Sequence, residues 1–304
     1  MACLKIQTAL LMGGSGFVGR HMQRSLPARF NVIATDRRTD IRDIVKIRSL
    51  VKNVSPDIVV NFASITTVRE SLDDPLDTYR IGFLGTLNLL TALKESGFKG
   101  RMLNISSSEV YGFHVNDLLA VNEEALLRPM TPYSVSKVAT EALCYQWSQS
   151  EQFEIVTARP FNHIGPGQSD RFAVSHFARQ LAEISLGKRE PTINVGNLHA
   201  TRDFTDVRDV VSAYGLLLER GRNGQAYNIC SGSVTSIATL LNELIELAGL
   251  DVSIEHDESL MRNVEQKRIY GSYEKIRNEM GWDPLIPLRK TLEDTFSFWV
   301  DKLK

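Results

Sequence analysis

Two rhythms of apolar and polar positions run along this chain. Short, nearly continuous apolar runs occur at Ile6–Met12, Asn31–Thr35, Asp57–Ala63, Met102–Ser106 and Glu154–Arg159. Runs this short, rich in Val, Ile, Leu and Ala, are expected of strands buried on both faces of a parallel sheet. Between them, Gly16–Leu26, Asp77–Ser96 and Tyr133–Glu151 carry helical patterns, the first stopping before Pro27 and the second at Gly97. Strand and helix in alternation predict an α/β fold with a Rossmann-type, doubly wound parallel sheet. After Pro160 turn-rich segments take over, with helices near Val174–Leu186, Val207–Arg220, Ile237–Ala248 and Leu288–Leu303. This part reads as a smaller C-terminal α/β domain on the substrate side. No linker rich in Gly, Ser or Pro separates the two parts, so they are expected to pack as one body.

Composition narrows the class. With 304 residues, 43% hydrophobic and 23% charged, the chain has the make-up of a soluble globular protein. A net charge of −1 offers no field for nucleic acid or an anionic membrane, so an anionic ligand needs a local cluster of Arg and Lys. Cys3, Cys144 and Cys230 form no Cys-x-x-Cys pair and no His/Cys ligand spacing, which supports neither a metal site nor a disulfide framework. A reduced, cytoplasmic setting is expected. The apolar start Thr8–Met12 is too short for a signal-peptide core, and no stretch reaches the ~18–20 apolar residues of a membrane span.

The first candidate chemistry follows the first strand. Gly13-Gly14-Ser15-Gly16-Phe17-Val18-Gly19 places glycines where a tight turn, a close approach to a pyrophosphate and close helix packing require them. The helix that follows offers its positive end to phosphates. About twenty residues on, Asp36 ends the second strand, where an acid takes the ribose hydroxyls of an adenosine. Arg37 and Arg38 follow at once and suit a 2′-phosphate instead, so NAD(H) and NADP(H) both stay open. Asp40 and Ile41 are candidates to flank the adenine, with Ala63 a further cofactor contact.

The second candidate set is Tyr133-Ser134-Val135-Ser136-Lys137, a phenol and an ammonium four positions apart on one helix face. A neighbouring ammonium favours the phenolate and brings proton transfer within reach of neutral pH. Pro132 helps start that helix. Upstream, Ser106-Ser107-Ser108-Glu109 ends the fourth strand, beyond the carboxyl edge where α/β ligands bind, and a serine there can hydrogen-bond a carbonyl oxygen.

Together, Gly13-x-x-Gly16-x-x-Gly19, Ser107 and Tyr133-x-x-x-Lys137 resemble the extended short-chain dehydrogenase/reductase family over essentially the whole chain. The resemblance implies that Ser107 is the catalytic hydroxyl and that Tyr133 and Lys137 are the acid/base pair, with NADP(H) or NAD(H) as cofactor. It also implies a homodimer formed through the helices at Asp77–Ser96 and Tyr133–Glu151. The expected division is an NAD(P)-binding domain over residues 1–162 and 203–229, and a nucleotide-sugar domain over 163–202 and 230–304. One departure is Gly82, where the family usually carries Asn.

The C-terminal half narrows the resemblance. Ala158–Gln168, Val195-Gly196-Asn197, Thr201–Val207 and Tyr227–Gly232 are similar to the GDP-4-keto-6-deoxy-D-mannose reductases that form GDP-D-rhamnose. A nucleotide diphosphate needs cationic forks, for which Arg202 and Arg262 are the leading candidates, with Arg179, Lys188 and Arg268 behind them. Glu265 resembles the carboxylate that related enzymes use on the guanosine ribose, and Asn162 resembles a contact to the pyrophosphate-sugar region. Ser107 and Ser108 complete the substrate candidates. His163 reads as a structural loop histidine and Cys144 as a packing residue. The implied reaction is reduction of the C4 ketone. Glu109, two residues after Ser107, keeps a 4,6-dehydratase or epimerase as the alternative. A 6-deoxy-talose product and a non-catalytic NAD(P) sensor are further readings.

Overall fold

The computed structural model describes residues 6–112, 120–258 and 268–304, with only the backbone of Arg268 and Ile269. Six parallel strands form the central sheet: β1 (Gln7–Met12), β2 (Phe30–Ala34), β3 (Ile58–Asn61), β4 (Arg101–Ile105), β5 (Glu154–Pro160) and, far along the chain, β10 (Ala226–Ile229). Their order is β10-β5-β4-β3-β1-β2, so the winding reverses at β1. Ligands of open α/β sheets bind at such a reversal, outside the carboxyl ends of the strands.

The apolar runs work as expected, with successive residues facing opposite sides. Ala9, Leu11, Ile58, Val60, Leu103 and Val156 join one buried cluster, and Leu10, Met12, Val59, Met102 and Ile155 join the other. The first cluster is covered by α1 (Phe17–Ser25), α8 (Val207–Arg220) and α10 (Glu274–Met280), the second by α2 (Ile44–Val54), α5 (Gly85–Glu95) and α6 (Pro132–Ser150). Sequence patterning missed α2, which starts at Asp43, whose carboxylate accepts from the Val45 and Lys46 N–H groups.

The helix predicted over Asp77–Ser96 is broken. After the short α3 (Val68–Asp73), it runs as α4 (Pro75–Tyr79), a π-helical turn at Arg80–Leu84, and then α5. Gly82 lies inside that turn, and a Cβ there would stand 2.1 Å from Ser136 Oγ of α6. A side chain at 82 would therefore meet the neighbouring helix at Ser136, three residues after Tyr133 and one before Lys137. The widened turn and the missing side chain go together.

The C-terminal elements build a third core. It combines α7 (Ala173–Ser185), α9 (Ile237–Ala248) and α11 (Leu288–Leu303) around Phe177, Leu181, Leu240, Leu244, Leu292 and Trp299. Small sheets complete it: β6 (Asn162–Ile164) beside β9 (Phe204–Asp206), β7 (Thr192–Val195) beside β12 (Ser253–His256), and β8 (Thr201–Arg202) between β11 (Thr235–Ser236) and β13 (Arg268–Ile269). Residues of α10 return to the first core, so the C-terminal stretch is interwoven with the sheet and not merely appended to it.

Candidate active site

The glycine loop lies at the reversal of the sheet. A Cβ on Gly13 would meet the Ala63 nitrogen at 3.1 Å, and one on Gly19 would meet the Gly14 carbonyl at 2.3 Å. Gly13 also has φ +72°, a conformation that favours glycine. The first turn of α1, begun by Gly16, carries neither a side-chain cap nor an acidic residue. Its N–H groups thus have the geometry and the dipole for a diphosphate, and the residues present fit a dinucleotide. Gln23 holds the loop from behind, donating to the Gly14 carbonyl at 2.9 Å. Phe17 stacks on His163 with a 12° interplanar angle, and Val18 packs on the first core. The half-buried His163 ring, its pKa lowered by desolvation, is a structural element between loop and β6.

At the end of β2 the polar set has internal partners. Arg38 grips Asp36 through Nε at 2.9 Å, while Arg37 is exposed. Asp40 is held by Arg42, which also pairs with Asp77. Ile41, expected to flank an adenine, turns its side chain inward and has only its backbone to offer a ligand there. Its side chain is buried in the second core and packs against Gly85, which has no Cβ to exclude it.

Ser107, Tyr133 and Lys137 come together. β4 ends at Ile105, and Ser107 turns the chain by accepting from the Glu109 N–H at 3.2 Å, leaving Ser108 buried and Glu109 half-buried. On α6, Thr131 and Ser134 form a capping box and Pro132 occupies the first turn, which fixes where Tyr133 begins the helix. The Ser107 hydroxyl lies on the Tyr133 phenol closely enough to pull its pKa down. Lys137 Nζ lies 5.7 Å from the Tyr133 ring centroid and donates to the Ile105 carbonyl at 2.7 Å and to Ser64 Oγ at 3.1 Å.

The electrostatics differ from the expectation that Lys137 lowers the phenol. Burial pushes Tyr133 up to about 12, with the Ser107 hydroxyl pulling it back and Glu109 adding to the rise. Burial also lowers Lys137 to about 8, against the opposing pull of Glu141. Desolvation outweighs the ammonium because that group is turned toward the Ile105 carbonyl rather than the phenolic oxygen. Ser64 as a Lys137 partner was not found in the sequence; a lone serine after β3 carries no pattern.

The substrate-side candidates scatter. Asn162 is half-buried on β6, and Arg202 is half-buried on β8, its guanidinium donating to the Thr201 carbonyl at 2.8 Å. Arg179 is engaged by Asp170 and Glu183 and lies over Trp299, and Lys188 is tied to the Leu303 carbonyl. Both side chains thus already have partners, at the surface of the C-terminal elements. Arg262 and Glu265 lie outside the described residues, as does the side chain of Arg268.

Fold and site together define a dinucleotide-binding α/β protein carrying the Ser-Tyr-Lys set of short-chain dehydrogenases/reductases. The family model described as GDP-mannose 4,6 dehydratase matches residues 31–295. The chain belongs to this family of nucleotide-sugar epimerases and dehydratases. It is 40% identical to a GDP-6-deoxy-D-mannose reductase of Pseudomonas aeruginosa, over 98% of this chain and 99% of that protein. It is 28% identical to a GDP-6-deoxy-D-talose 4-dehydrogenase of Aggregatibacter actinomycetemcomitans, over 94% of this chain and 96% of that one. Among solved structures, RMD from Pseudomonas aeruginosa complexed with NADPH superposes with a TM-score of 0.91 at 39% identity, covering 97% of this chain and 99% of that one. Among the described residues, no helix is long and apolar enough to cross a membrane.

Proposed function

We propose that this protein reduces the C4 ketone of GDP-4-keto-6-deoxy-D-mannose with NADPH, giving GDP-D-rhamnose. The observation that carries the reading is the meeting of Ser107, Tyr133 and Lys137 at the carboxyl rim of the sheet, with Lys137 Nζ 5.7 Å from the Tyr133 ring centroid. The reductase relative at 40% identity supports the substrate, and the NADPH-bound structure supports the cofactor. Residues 1–162 and 203–229 hold the dinucleotide, and 163–202 with 230–304 hold the nucleotide sugar.

The glycine loop and the first turn of α1 bind the cofactor's diphosphate. Lys137 reaches the nicotinamide ribose, and Arg37 and Arg38 take the 2′-phosphate, with Arg38 released from Asp36. When bound, the reduced nicotinamide supplies a hydride to C4. Tyr133, whose raised pKa keeps it protonated at neutral pH, donates its proton to the carbonyl oxygen. Ser107 polarises that oxygen by hydrogen bonding, and the Lys137 charge stabilises the phenolate left behind. Asn162 and Arg202 line the approach of the sugar diphosphate.

Glu109 favours one second reading. Its carboxylate acts on the Tyr133 phenol, and a 4,6-dehydratase would use an acid there to move a proton. Absorbance at ~340 nm during incubation with GDP-4-keto-6-deoxy-mannose separates the two, since a reductase consumes NADPH stoichiometrically and a dehydratase recycles its cofactor. NMR of the product then decides between rhamnose and 6-deoxy-talose. No net oxidation of NADPH would refute the reductase.

The reading extends to a homodimer through α4, α5 and α6. Leu76 on α4, Leu84 in the π-helical turn, and Val135 and Tyr145 on α6 are exposed, and apolar surface of this kind suits a second copy. Sedimentation velocity tests it, and a monomer at micromolar concentration would sink it. A cytoplasmic setting goes with this, supported by Cys144 and Cys230 as buried free thiols.

A further inference from the structure

Behind Ser107, Tyr133 and Lys137 lies a second, buried layer. Glu141 stands one helical turn beyond Lys137 on α6, so the two side chains share a helix face. Arg159, on β5, grips it with Nε at 3.0 Å and a terminal nitrogen at 2.7 Å. The residues are only 8% and 6% exposed. The other Arg159 terminal nitrogen donates to the Tyr111 hydroxyl at 2.9 Å, which donates in turn to Asn228 at 2.7 Å. Glu141 also accepts a hydrogen bond from Ser106. The Ser106 N–H donates to the Ala158 carbonyl at 2.8 Å, beside Arg159. One carboxylate therefore touches the strand end that carries Ser107 and shares the helix that carries Tyr133 and Lys137. Apolar residues of similar volume usually stabilise a core at least as well as such a pair, so its satisfied geometry points to a role other than stability.

We propose that Glu141, clamped by Arg159, is a positioning residue of this active site: it sets where Ser107 stands against Tyr133 and supplies the buried counter-charge of the Lys137 ammonium. The proposal rests on the reading of those three residues as the catalytic set. The groups around Lys137 are consistent with it. Its own helix contributes Glu141, Tyr133 and Cys144, whose thiol burial keeps neutral. The ends of β3 and β4 contribute the uncharged Ser64 hydroxyl and Ile105 carbonyl, Glu109 lies beyond Tyr133, and Arg159 stands behind Glu141. Glu141 is thus the anion that opposes the desolvation of Lys137.

The test compares Glu141→Gln with the wild type by two readouts. NMR of isotope-labelled lysine in the whole chain, with Lys137 assigned from Lys137→Met, follows the titration of that ammonium. The pH profile of kcat follows turnover with NADPH and GDP-4-keto-6-deoxy-mannose. The expected result is that the Lys137 midpoint and the alkaline limb of kcat both fall by about one pH unit. In addition, kcat drops about tenfold, and Glu141→Asp recovers most of it. Because Glu141→Gln leaves Arg159 buried without its partner and can impair folding, Ser106→Ala tests the positioning half separately. It should lower kcat several-fold while leaving NADPH affinity and the Lys137 midpoint in place. An unmoved midpoint in Glu141→Gln, or wild-type kcat in Ser106→Ala, overturns the proposal. A shifted midpoint in a protein whose wild type does not oxidise NADPH sinks the functional reading and leaves the counter-charge standing.

Discussion

Glu141 and Asp203 are both carboxylates with almost no exposure, 8% and 0%, yet their partners differ in kind. Glu141, on the sheet side, faces a guanidinium and one hydroxyl, beside the catalytic candidates. Asp203, between β8 and β9, is wrapped by neutral donors. The Ser231 N–H and hydroxyl reach it at 2.7 Å, the Gly232 N–H at 3.0 Å and the Gly271 N–H at 3.3 Å. Burial pushes the Asp203 carboxyl up, with those donors pulling it back. A carboxylate paired with a fixed cation can still act on a third charge, whereas one surrounded by N–H groups mainly joins chain segments. In the run Thr201–Val207, so telling as a family resemblance, Asp203 is of the second kind and Asp206 of the first, its carboxylate paired with the Arg208 guanidinium at 2.7 Å. Asp206 accepts from Thr291 at 2.7 Å, and Asp209 just beyond accepts from the Ile286 N–H at 2.8 Å.

This contrast can be broken by experiment. The largest effect belongs to Tyr133→Phe, which takes one hydroxyl from the sheet side. It should lower kcat about 10³-fold while NADPH affinity, measured by fluorescence titration, stays within twofold. Full turnover would remove the phenol from the chemistry. Asp203→Ala should act through stability instead. Four donors lose their acceptor, about 3 kcal/mol in all, which lowers Tm by roughly 5 °C in a thermal melt. A Tm within 2 °C of wild type would mean that water replaces the carboxylate.

A pH series separates charge from scaffold more gently. Lys137 is brought down from 10.5 to about 8 by burial, so the folded state binds fewer protons than the unfolded chain between those values. Stability should therefore rise across that interval, while turnover falls above pH 8 as the ammonium loses its charge. Lys137→Met should flatten the rise in stability, as measured by urea unfolding at several pH values. The smallest effect is expected of Arg179→Ala. Its ion pairs with Asp170 and Glu183 are partly exposed, so stability should change by less than about 1 kcal/mol and KM for the sugar nucleotide by less than twofold. A tenfold rise in KM would return Arg179 to the substrate side.

What the chain could announce by itself was local. Leu10 against Leu11, and Val59 against Val60, alternate across a sheet whatever else surrounds them, so the strands were legible. Gly13, Gly16 and Gly19 are close in sequence because one turn and one helix start need them, and Tyr133 with Lys137 because one helix turn separates them. The tertiary structure decided the rest. The Ser106–Glu141–Arg159 chain exists because β4 lies beside β5 and beneath α6. Ile41 is a core residue because Gly85 leaves it room, and the helix around Gly82 widens where Ser136 approaches. Arg179 meets Asp170 and Glu183, which are placed beside it by the fold. Local spacing survives in a linear sequence because backbone geometry imposes it. Burial and charge pairing between distant segments depend on which strands and helices become neighbours, and only the folded chain sets that.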